Sequence, residues 1–137
     1  MQVNAYLFFN GQCEEAFRFY EKALGAKLGP VSRYGDMPGD NPIPDDFRNK
    51  VMHTTMTVGD TAVMASDAGP GRFQTPQGFS LALGVTDPAE AERLFNSLSE
   101  NARAITMPLQ QTFWSAKFGM LTDQFGIEWM VNCAPAA

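Results

Sequence analysis

The sequence predicts an α+β fold in which tandem βαβββ modules form a curved mixed sheet, with a concave cavity and helices on the outer side. A repeat is the first observation: residues 15–20 read Glu-Ala-Phe-Arg-Phe-Tyr, and residues 90–95 read Glu-Ala-Glu-Arg-Leu-Phe. Its context is the second, because strand patterns precede and follow each copy. A length of 137 residues fits a single domain. We therefore expect a first module at 1–66, a linker at 67–78 and a second module at 79–137.

In the first half, the apolar run 3–9 predicts a strand. A helix is predicted over 14–24, because apolar residues recur at 3.6-residue spacing, glutamates occupy the first turn and Gly25 ends it. The segment 35–50 is predicted to be a loop, since three prolines and two glycines interrupt it. The remaining strands predicted here are 27–34, 51–58 and 61–66.

The second half repeats this order. A strand pattern covers 79–85, and Asp87 is a predicted helix N-cap, followed by Pro88 at the first helical position. We expect this helix to end near Leu98. Pro108 falls inside a strand pattern and predicts an edge strand or a bulge. The strands predicted after the helix are 104–109, 116–122 and 127–132.

Composition excludes several classes of partner. The net charge is −5, and the ten basic residues are scattered rather than clustered. Nucleic acids and anionic membranes are recognised through clustered basic residues, so we expect neither as a partner. Cys13 and Cys133 lie almost at opposite ends, which favours free thiols. The first residues carry no basic and long apolar pattern, so we expect no signal peptide, no membrane span and a cytoplasmic location.

Several motifs resemble one known group of proteins. Residues 14–25 read Glu-Glu-Ala-Phe-Arg-Phe-Tyr-Glu-Lys-Ala-Leu-Gly, and residues 123–126 read Asp-Gln-Phe-Gly before the last strand. These motifs resemble the vicinal-oxygen-chelate superfamily, which includes glyoxalase I, extradiol dioxygenases and the bleomycin and fosfomycin resistance proteins. Tyr-Leu-Phe-Phe-Asn-Gly at 6–11, His53 and the Phe113-Trp114 pair resemble its PhnB-like subgroup more specifically. The resemblance implies a homodimer that takes a small-molecule ligand.

Enzymes of that superfamily hold a divalent metal with His, Gln or Glu from four strands. The corresponding positions here are Ala5, Ser80, Met130 and either Val63 or Ala65. None of these is a customary metal ligand, and the chain has one histidine. We therefore expect no metal and no cofactor, although a site built from His53, Glu128 and loop aspartates stays open. PhnB-like proteins are often labelled demethylubiquinone methyltransferases, but no Gly-rich turn suited to S-adenosylmethionine is present.

Strand alternation predicts which residues line the cavity. Trp129 belongs to an apolar row that suits packing under a helix, whereas Glu128 points the other way. His53 is likewise expected on the concave side, opposite Met56. The predicted lining is His53, Thr55, Thr57, Ser80, Glu128 and Asn132 beside Ala5, Leu7 and Met130. The ligand-binding candidates are Thr55, Asp67, Ser80, Trp114, Met130 and Asn132.

Each candidate has a structural alternative. The alternative for His53 is a hydrogen-bonded core residue, the alternative for Glu128 is a solvated rim residue, and the alternative for Asp67 is a cap of the linker. Trp114 is open to covering a core or an interface, and Cys13 to being structural. The first functional hypothesis is a small-molecule binding protein of the resistance or sequestration kind.

The second hypothesis is a metal-independent lyase or isomerase with His53 and Glu128 as acid and base. The third hypothesis, a metal-dependent glyoxalase-like enzyme, is disfavoured by the missing ligands.

Overall fold

The computed structural model describes residues 1–39 and 42–135. The chain divides into two compact units, Met1–Gln74 and Thr75–Ala137, and the division falls inside the predicted linker. Each unit holds one long helix on a mixed sheet, so the predicted α+β class is confirmed. Within the described residues, neither helix approaches the length or the apolar character needed to cross a lipid bilayer.

The first unit has the order of elements that the sequence predicts. They are β1 (Tyr6–Phe9), α1 (Cys13–Leu24), β2 (Lys27–Leu28), β3 (Ser32–Arg33), β4 (Val51–Val58) and β5 (Thr61–Asp67). The sheet order is β1-β5-β4-β2, with β3 also paired to β4. β1 runs parallel to β5, and the other pairs are antiparallel.

The single strand predicted over 27–34 is wrong. Gly29 and Pro30 divide it into the two-residue strands β2 and β3, because proline has no N–H group to donate to a neighbouring strand. Gly29 N still donates to Thr55 O at 2.8 Å, so the chain stays beside β4. Asp40 and Asn41, within the predicted loop 35–50, lie outside the described residues. The described part of the loop contains two 3-10 turns, Tyr34–Asp36 and Asp45–Phe47.

Helix α1 packs on one face of the first sheet. It buries an apolar row that includes Phe17 and Tyr20. The Phe9 ring meets the Phe17 ring edge-on at a centroid distance of 6.3 Å, so Phe9 faces the helix. Leu7, two residues before Phe9, shares that face and is buried. The expectation that Leu7 lines the concave side is therefore wrong.

The carboxylate of Asp67 holds three elements of this unit together. Its two oxygens accept hydrogen bonds from Cys13 N at the start of α1 and from Val51 N at the start of β4, each at 2.9 Å. Tyr34 Oη donates to the Asp67 carbonyl at 2.7 Å. Asp67 is the last residue of β5 and not, as predicted, the first residue of the linker.

The second unit repeats the arrangement. Its elements are β6 (Leu81–Val85), α2 (Pro88–Leu98), β7 (Ala104–Gln110), β8 (Lys117–Thr122) and β9 (Glu128–Cys133). The sheet order is β6-β9-β8-β7, with β6 parallel to β9. Asp87 caps α2 by accepting from Ala89 N at 3.0 Å, which confirms the predicted cap. Register shifts on either side of Met107 give β7 the irregularity expected near Pro108.

Helix α2 covers the face of this sheet that carries Trp129. Trp129 is only 2% exposed, and its indole Nε1 donates to Asp123 Oδ2 at 2.9 Å. The Phe95 ring lies directly over Gly119, where a Cβ atom would come within 2.6 Å of the ring. The prediction that Trp129 is buried on the helix side is confirmed.

Candidate functional site

The face of the first sheet that points away from α1 carries a histidine beside a tyrosine, which in turn neighbours a phenylalanine. Tyr6 Oη lies 3.2 Å from His53 Nδ1, within hydrogen-bonding distance. The ring centroids of Tyr6 and His53 are 5.7 Å apart, and those of Tyr6 and Phe8 are 5.0 Å apart. We call Tyr6, Phe8 and His53 the aromatic–imidazole cluster.

The sequence of β4 explains why His53 reaches this face. Thr54 and Met56 are buried on the helix side, while His53 and Thr57 are exposed. The alternation predicted for this strand is therefore confirmed at these residues. Thr55 is half-buried on the same face as His53.

Tyr6 gives the imidazole a defined chemistry. If the tyrosine hydroxyl donates to Nδ1, then Nε2 carries the proton and can donate; if Nδ1 donates, Nε2 can accept. In either tautomer the hydrogen bond orients the ring. The neighbouring aromatic faces add a surface on which a flat ligand can stack.

Tyr6 and Phe8 are site residues that the sequence reasoning missed. The β1 run Tyr-Leu-Phe-Phe is apolar throughout, so alternation of polarity could not assign its faces. The tyrosine hydroxyl was the available signal, because Tyr6 is the member of that run with a polar tip. In the structure Tyr6 and Phe8 are exposed, whereas Leu7 and Phe9 are buried.

Two other polar candidates of the first unit have structural surroundings. Asp67 is 1% exposed and both its carboxylate oxygens accept backbone hydrogen bonds, which favours the alternative that it caps the end of the strand. Burial, together with the nearby carboxylates of Asp67 and Glu14, strongly raises the pKa of the Cys13 thiol. The thiol therefore stays protonated at neutral pH and is a poor nucleophile.

A hollow of about 370 Å³ lies beside the loop of the first unit. It is lined by Tyr34, Gly35, Met37, Gly39, Pro42, Ile43 and Arg48. None of the predicted site residues borders it. Its lining residues lie on both sides of Asp40 and Asn41 in the sequence.

In the second unit, the face opposite Trp129 carries the other predicted residues. Glu128, Met130 and Asn132 alternate along β9 and are half-buried. The β8 partner of Asn132 is Phe118, and the Trp114 ring lies 5.5 Å from the Phe118 ring. Ser80 is half-buried immediately before β6.

His53 and Glu128 belong to different units. His53 is on β4 of the first unit, and Glu128 begins β9 of the second. Each side chain lies on the face of its own sheet that is opposite the helix. Their joint action as acid and base stays a prediction.

The residues at the superfamily's metal positions do not fit a metal. Ser80 and Met130 offer neither imidazole nor carboxylate, the donors that such a site needs. Ala5 lies two residues before the helix-facing Leu7, and Val63 and Ala65 are buried in the core, so the expectation that these three residues face the concave side is wrong. Across residues 1–39 and 42–135, no group of three or more His, Cys, Asp and Glu side chains is placed to hold an ion. Elemental analysis of the purified protein is the test of the metal-free prediction.

A family model described as 3-demethylubiquinone-9 3-methyltransferase matches residues 1–132. The chain belongs to this family. This PhnB-like family includes a solved Bacillus cereus structure, described as a putative 3-demethylubiquinone-9 3-methyltransferase, PhnB protein. It is 27% identical, covers 98% of this chain and 100% of that one, and has a TM-score of 0.80. The resemblance to the PhnB-like subgroup is therefore confirmed.

Other relatives of this PhnB-like chain span its whole length. Protein PA1353 from Pseudomonas aeruginosa is 47% identical, with 98% of each chain covered and a TM-score of 0.86. Protein YjdN of Escherichia coli (strain K12) is 33% identical over 142 residues, covering 96% of this chain and 95% of that protein. The fosfomycin resistance protein FosX from Listeria monocytogenes, at 8% identity and a TM-score of 0.66, shares the fold alone.

Proposed function

We propose that this protein binds a small organic molecule without the metal centre of its superfamily. The observation that carries the proposal is the aromatic–imidazole cluster. Tyr6 is 36% exposed and Phe8 is 52% exposed, beside an exposed histidine. Contiguous apolar surface beside a hydrogen-bonding group is typical of a ligand site. The missing metal ligands are consistent with binding through stacking and hydrogen bonds.

Methyl transfer, which the family description names, is not part of this proposal. Proteins that bind dinucleotides or similar cofactors in a strand–helix turn use glycines so that the backbone approaches the ligand. Between β1 and α1 this chain has Gly11 as the one glycine. In the turn before α2, the Asp87 carboxylate accepts a hydrogen bond from Ala89 N. Neither turn resembles a site for S-adenosylmethionine.

The proposal includes a cytoplasmic homodimer as the working form. It follows from the superfamily resemblance, in which two subunits commonly complete the ligand sites. Light scattering during size-exclusion chromatography measures the mass directly. A mass of one 15.0 kDa chain at micromolar concentration would refute the dimer but leave the binding proposal standing.

A thermal-shift screen of small aromatic amides, amines and acids tests the binding proposal. A compound that binds the folded state raises the melting temperature by mass action. We expect His53→Ala and Phe8→Ala to lose at least half of the shift that a hit produces. Thr61→Ala is the control, because Thr61 is exposed at the start of β5 and is not among the predicted lining residues. Hits whose shifts are unchanged in His53→Ala and Phe8→Ala would contradict the proposal.

A second candidate function is a metal-independent lyase or isomerase that uses His53 and Glu128. The hydrogen bond between Tyr6 Oη and His53 Nδ1 favours it, because general acid–base catalysis needs an oriented imidazole. Each screening hit can be incubated with the protein and followed by NMR. We expect a substrate to be converted by the wild type and bound but unconverted by His53→Gln and Glu128→Gln. If every hit is recovered unchanged after incubation with the wild type, the lyase or isomerase function is refuted and only the binding proposal stands.

A further inference from the structure

Two side-chain oxygens of the second unit are buried without a partner. Among the described residues, Thr112 Oγ1 and Asn132 Oδ1 are the buried side-chain atoms that have no hydrogen bond. Burying a polar atom without a partner costs free energy, so folded proteins rarely leave one unexplained. A ligand that donates a hydrogen bond would satisfy either oxygen.

Asn132 lies beside an aromatic pair, Trp114 and Phe118, and Thr112 is two residues before Trp114. Asn132 on β9 is directly paired with Phe118 on β8, so their side chains are neighbours on the same face. Since Gly119 faces Phe95 of α2, Phe118 points away from that helix. The Trp114 ring meets the Phe118 ring at 5.5 Å and an interplanar angle of 68°.

The turn that carries Thr112 and Trp114 is fastened to the end of β9. Ser115 Oγ donates to Cys133 O at 2.7 Å, and Ala116 N donates to the same carbonyl at 3.0 Å. Thr112 N donates to Ser115 O at 3.0 Å, which closes the turn. The turn is therefore tied to the residue that follows Asn132. Thr112, Trp114 and Asn132 form one end of this sheet.

We propose that this end of the second unit is a subsite for a flat aromatic ring that carries a hydrogen-bond donor, as in an aromatic amide or amine. The ring stacks on Trp114, which is 46% exposed, and an N–H group donates to Asn132 Oδ1 or to Thr112 Oγ1. We call Thr112, Trp114, Phe118 and Asn132 the donor subsite. This inference rests on the proposed function, because it names the chemical class of the ligand.

Charge in the neighbourhood favours a neutral or cationic ligand over an acid. Glu128 is on the same face of β9 as Asn132, and the whole chain carries a net charge of −5. A ligand carboxylate would offer Asn132 Oδ1 an acceptor rather than a donor. Glu128, about 13 Å along the strand, would add only a weak, salt-screened repulsion. The donor subsite therefore selects against aromatic acids.

Three probes separate the parts of this inference. Benzamide has the ring and the N–H donor, methyl benzoate has the ring without a donor, and cyclohexanecarboxamide has the donor without a flat ring. Titrations followed by ¹⁵N-resolved NMR give the dissociation constant of each. We expect benzamide to bind at least tenfold more tightly than either other probe, with shifts concentrated in residues 112–118 and 130–133.

Variants locate the effect. Asn132→Leu keeps a similar volume and removes the acceptor, so benzamide affinity should fall to that of methyl benzoate. Thr112→Val, a smaller change in shape, should lower benzamide affinity at least threefold and serves if Asn132→Leu does not fold. Asn96→Leu, at an exposed position of α2, is the matched control and should leave the affinity unchanged.

Equal affinity for benzamide and methyl benzoate would overturn the inference, as would unchanged benzamide binding in both Asn132→Leu and Thr112→Val. Shifts at 112–118 that follow protein concentration rather than benzamide would assign these atoms to contact with a second copy and also overturn it. If these benzamide tests fail while thermal-shift hits still depend on His53, the proposed function stands. Benzamide binding at the donor subsite without any His53-dependent hit would instead refute the role of the aromatic–imidazole cluster.

Discussion

The two units bury the same kind of interface with different elements. In the first unit the helix supplies the large side chains, Phe17 and Tyr20, and the central strand β5 places the small Ala65 in the core. In the second unit the central strand β9 adds Trp129, while the helix buries Leu94, Phe95 and Leu98 beside the small Ala91. The two units therefore bury the same faces, but the largest core side chain comes from the helix in the first unit and from the central strand in the second. Packing at constant total volume tolerates such exchanges.

The two units also differ in the strand that follows the helix. The second unit has the seven-residue β7, whereas the first has only the two-residue strands β2 and β3, divided by Gly29 and Pro30. Residues at the end of β3 and directly after it tether the first unit, because Arg33 donates to Glu14 and Tyr34 donates to the Asp67 carbonyl. The unit with the shorter edge is thus fastened by side chains, and the unit with the longer edge by backbone pairing.

The largest expected effect comes from truncating Trp129, the large core side chain that β9 supplies in the second unit. Trp129→Ala should lower the free energy of unfolding by about 3–5 kcal/mol, because it leaves a large cavity. It also removes the donor to Asp123 Oδ2. Urea unfolding followed by circular dichroism measures the change. Trp114→Ala is the control and should cost less than about 1 kcal/mol, since Trp114 is exposed. A tolerated Trp129→Ala would mean that the volume of this core is supplied elsewhere.

A smaller effect is expected at Gly119, against which the Phe95 ring of α2 packs. Gly119→Ala should destabilise the protein by about 1–3 kcal/mol through overpacking. Its Cβ atom would lie 2.6 Å from the Phe95 ring and 3.1 Å from Leu109 Cα. Gly84→Ala, on neighbouring β6, has no atom within 4 Å of the new Cβ and should be nearly neutral. Thermal melts of the two variants, and of Gly119→Ala combined with Phe95→Leu, give the comparison. Equal melting temperatures for the two glycine variants would show that α2 yields without cost.

The smallest effect concerns the side-chain tether of the first unit. Arg33 Nη1 and Nη2 donate to the two carboxylate oxygens of Glu14 at 3.1 and 2.9 Å, which lowers the pKa of Glu14 below its ordinary value of 4.5. A carboxyl with a lowered folded-state pKa stabilises above its unfolded pKa, and that stabilisation is lost as pH falls through the folded value. Both side chains are about one-third exposed, so the pair contributes less than about 1 kcal/mol.

Glu14→Gln should therefore be less stable than the wild type at pH 7, and the difference should shrink as the pH falls below 4.5. Chemical unfolding at several pH values and at low salt measures this. Glu92→Gln is the matched control in the second unit, because it removes a single, more exposed contact to Lys117. A difference for Glu14→Gln that persists unchanged at pH 3 would assign the effect to packing rather than to charge.

Local signals in the sequence predicted much of the fold. The bounds of β4, the cap at Asp87 and the burial of Trp129 follow from alternation and from residues next to each element. The faces of β1 did not, because a strand that is apolar on both sides carries no contrast. The break at Gly29 and Pro30 has a local signal in the sequence, because proline cannot donate a hydrogen bond to a neighbouring strand.

The contacts that build the candidate site are non-local. Tyr6 and His53 are 47 residues apart, and Asp67 is 54 residues from Cys13, so no spacing in the sequence connects them. Alternation could orient His53 on its own strand. It could not identify the aromatic neighbours that pairing through β5 brings beside it.

The parallel pairing of β1 with β5, and of β6 with β9, has a consequence for synthesis on the ribosome. In each unit the last strand to be made lies between two earlier ones: β5 separates β1 from β4, and β9 separates β6 from β8. Tyr6 is thus without its strand partner until Met64 has left the exit tunnel. Contacts that wait for so much chain are slow to form and leave strand edges open to other molecules meanwhile. A chain truncated before β5 or β9 would therefore contain a unit whose sheet lacks the strand that joins its two parts.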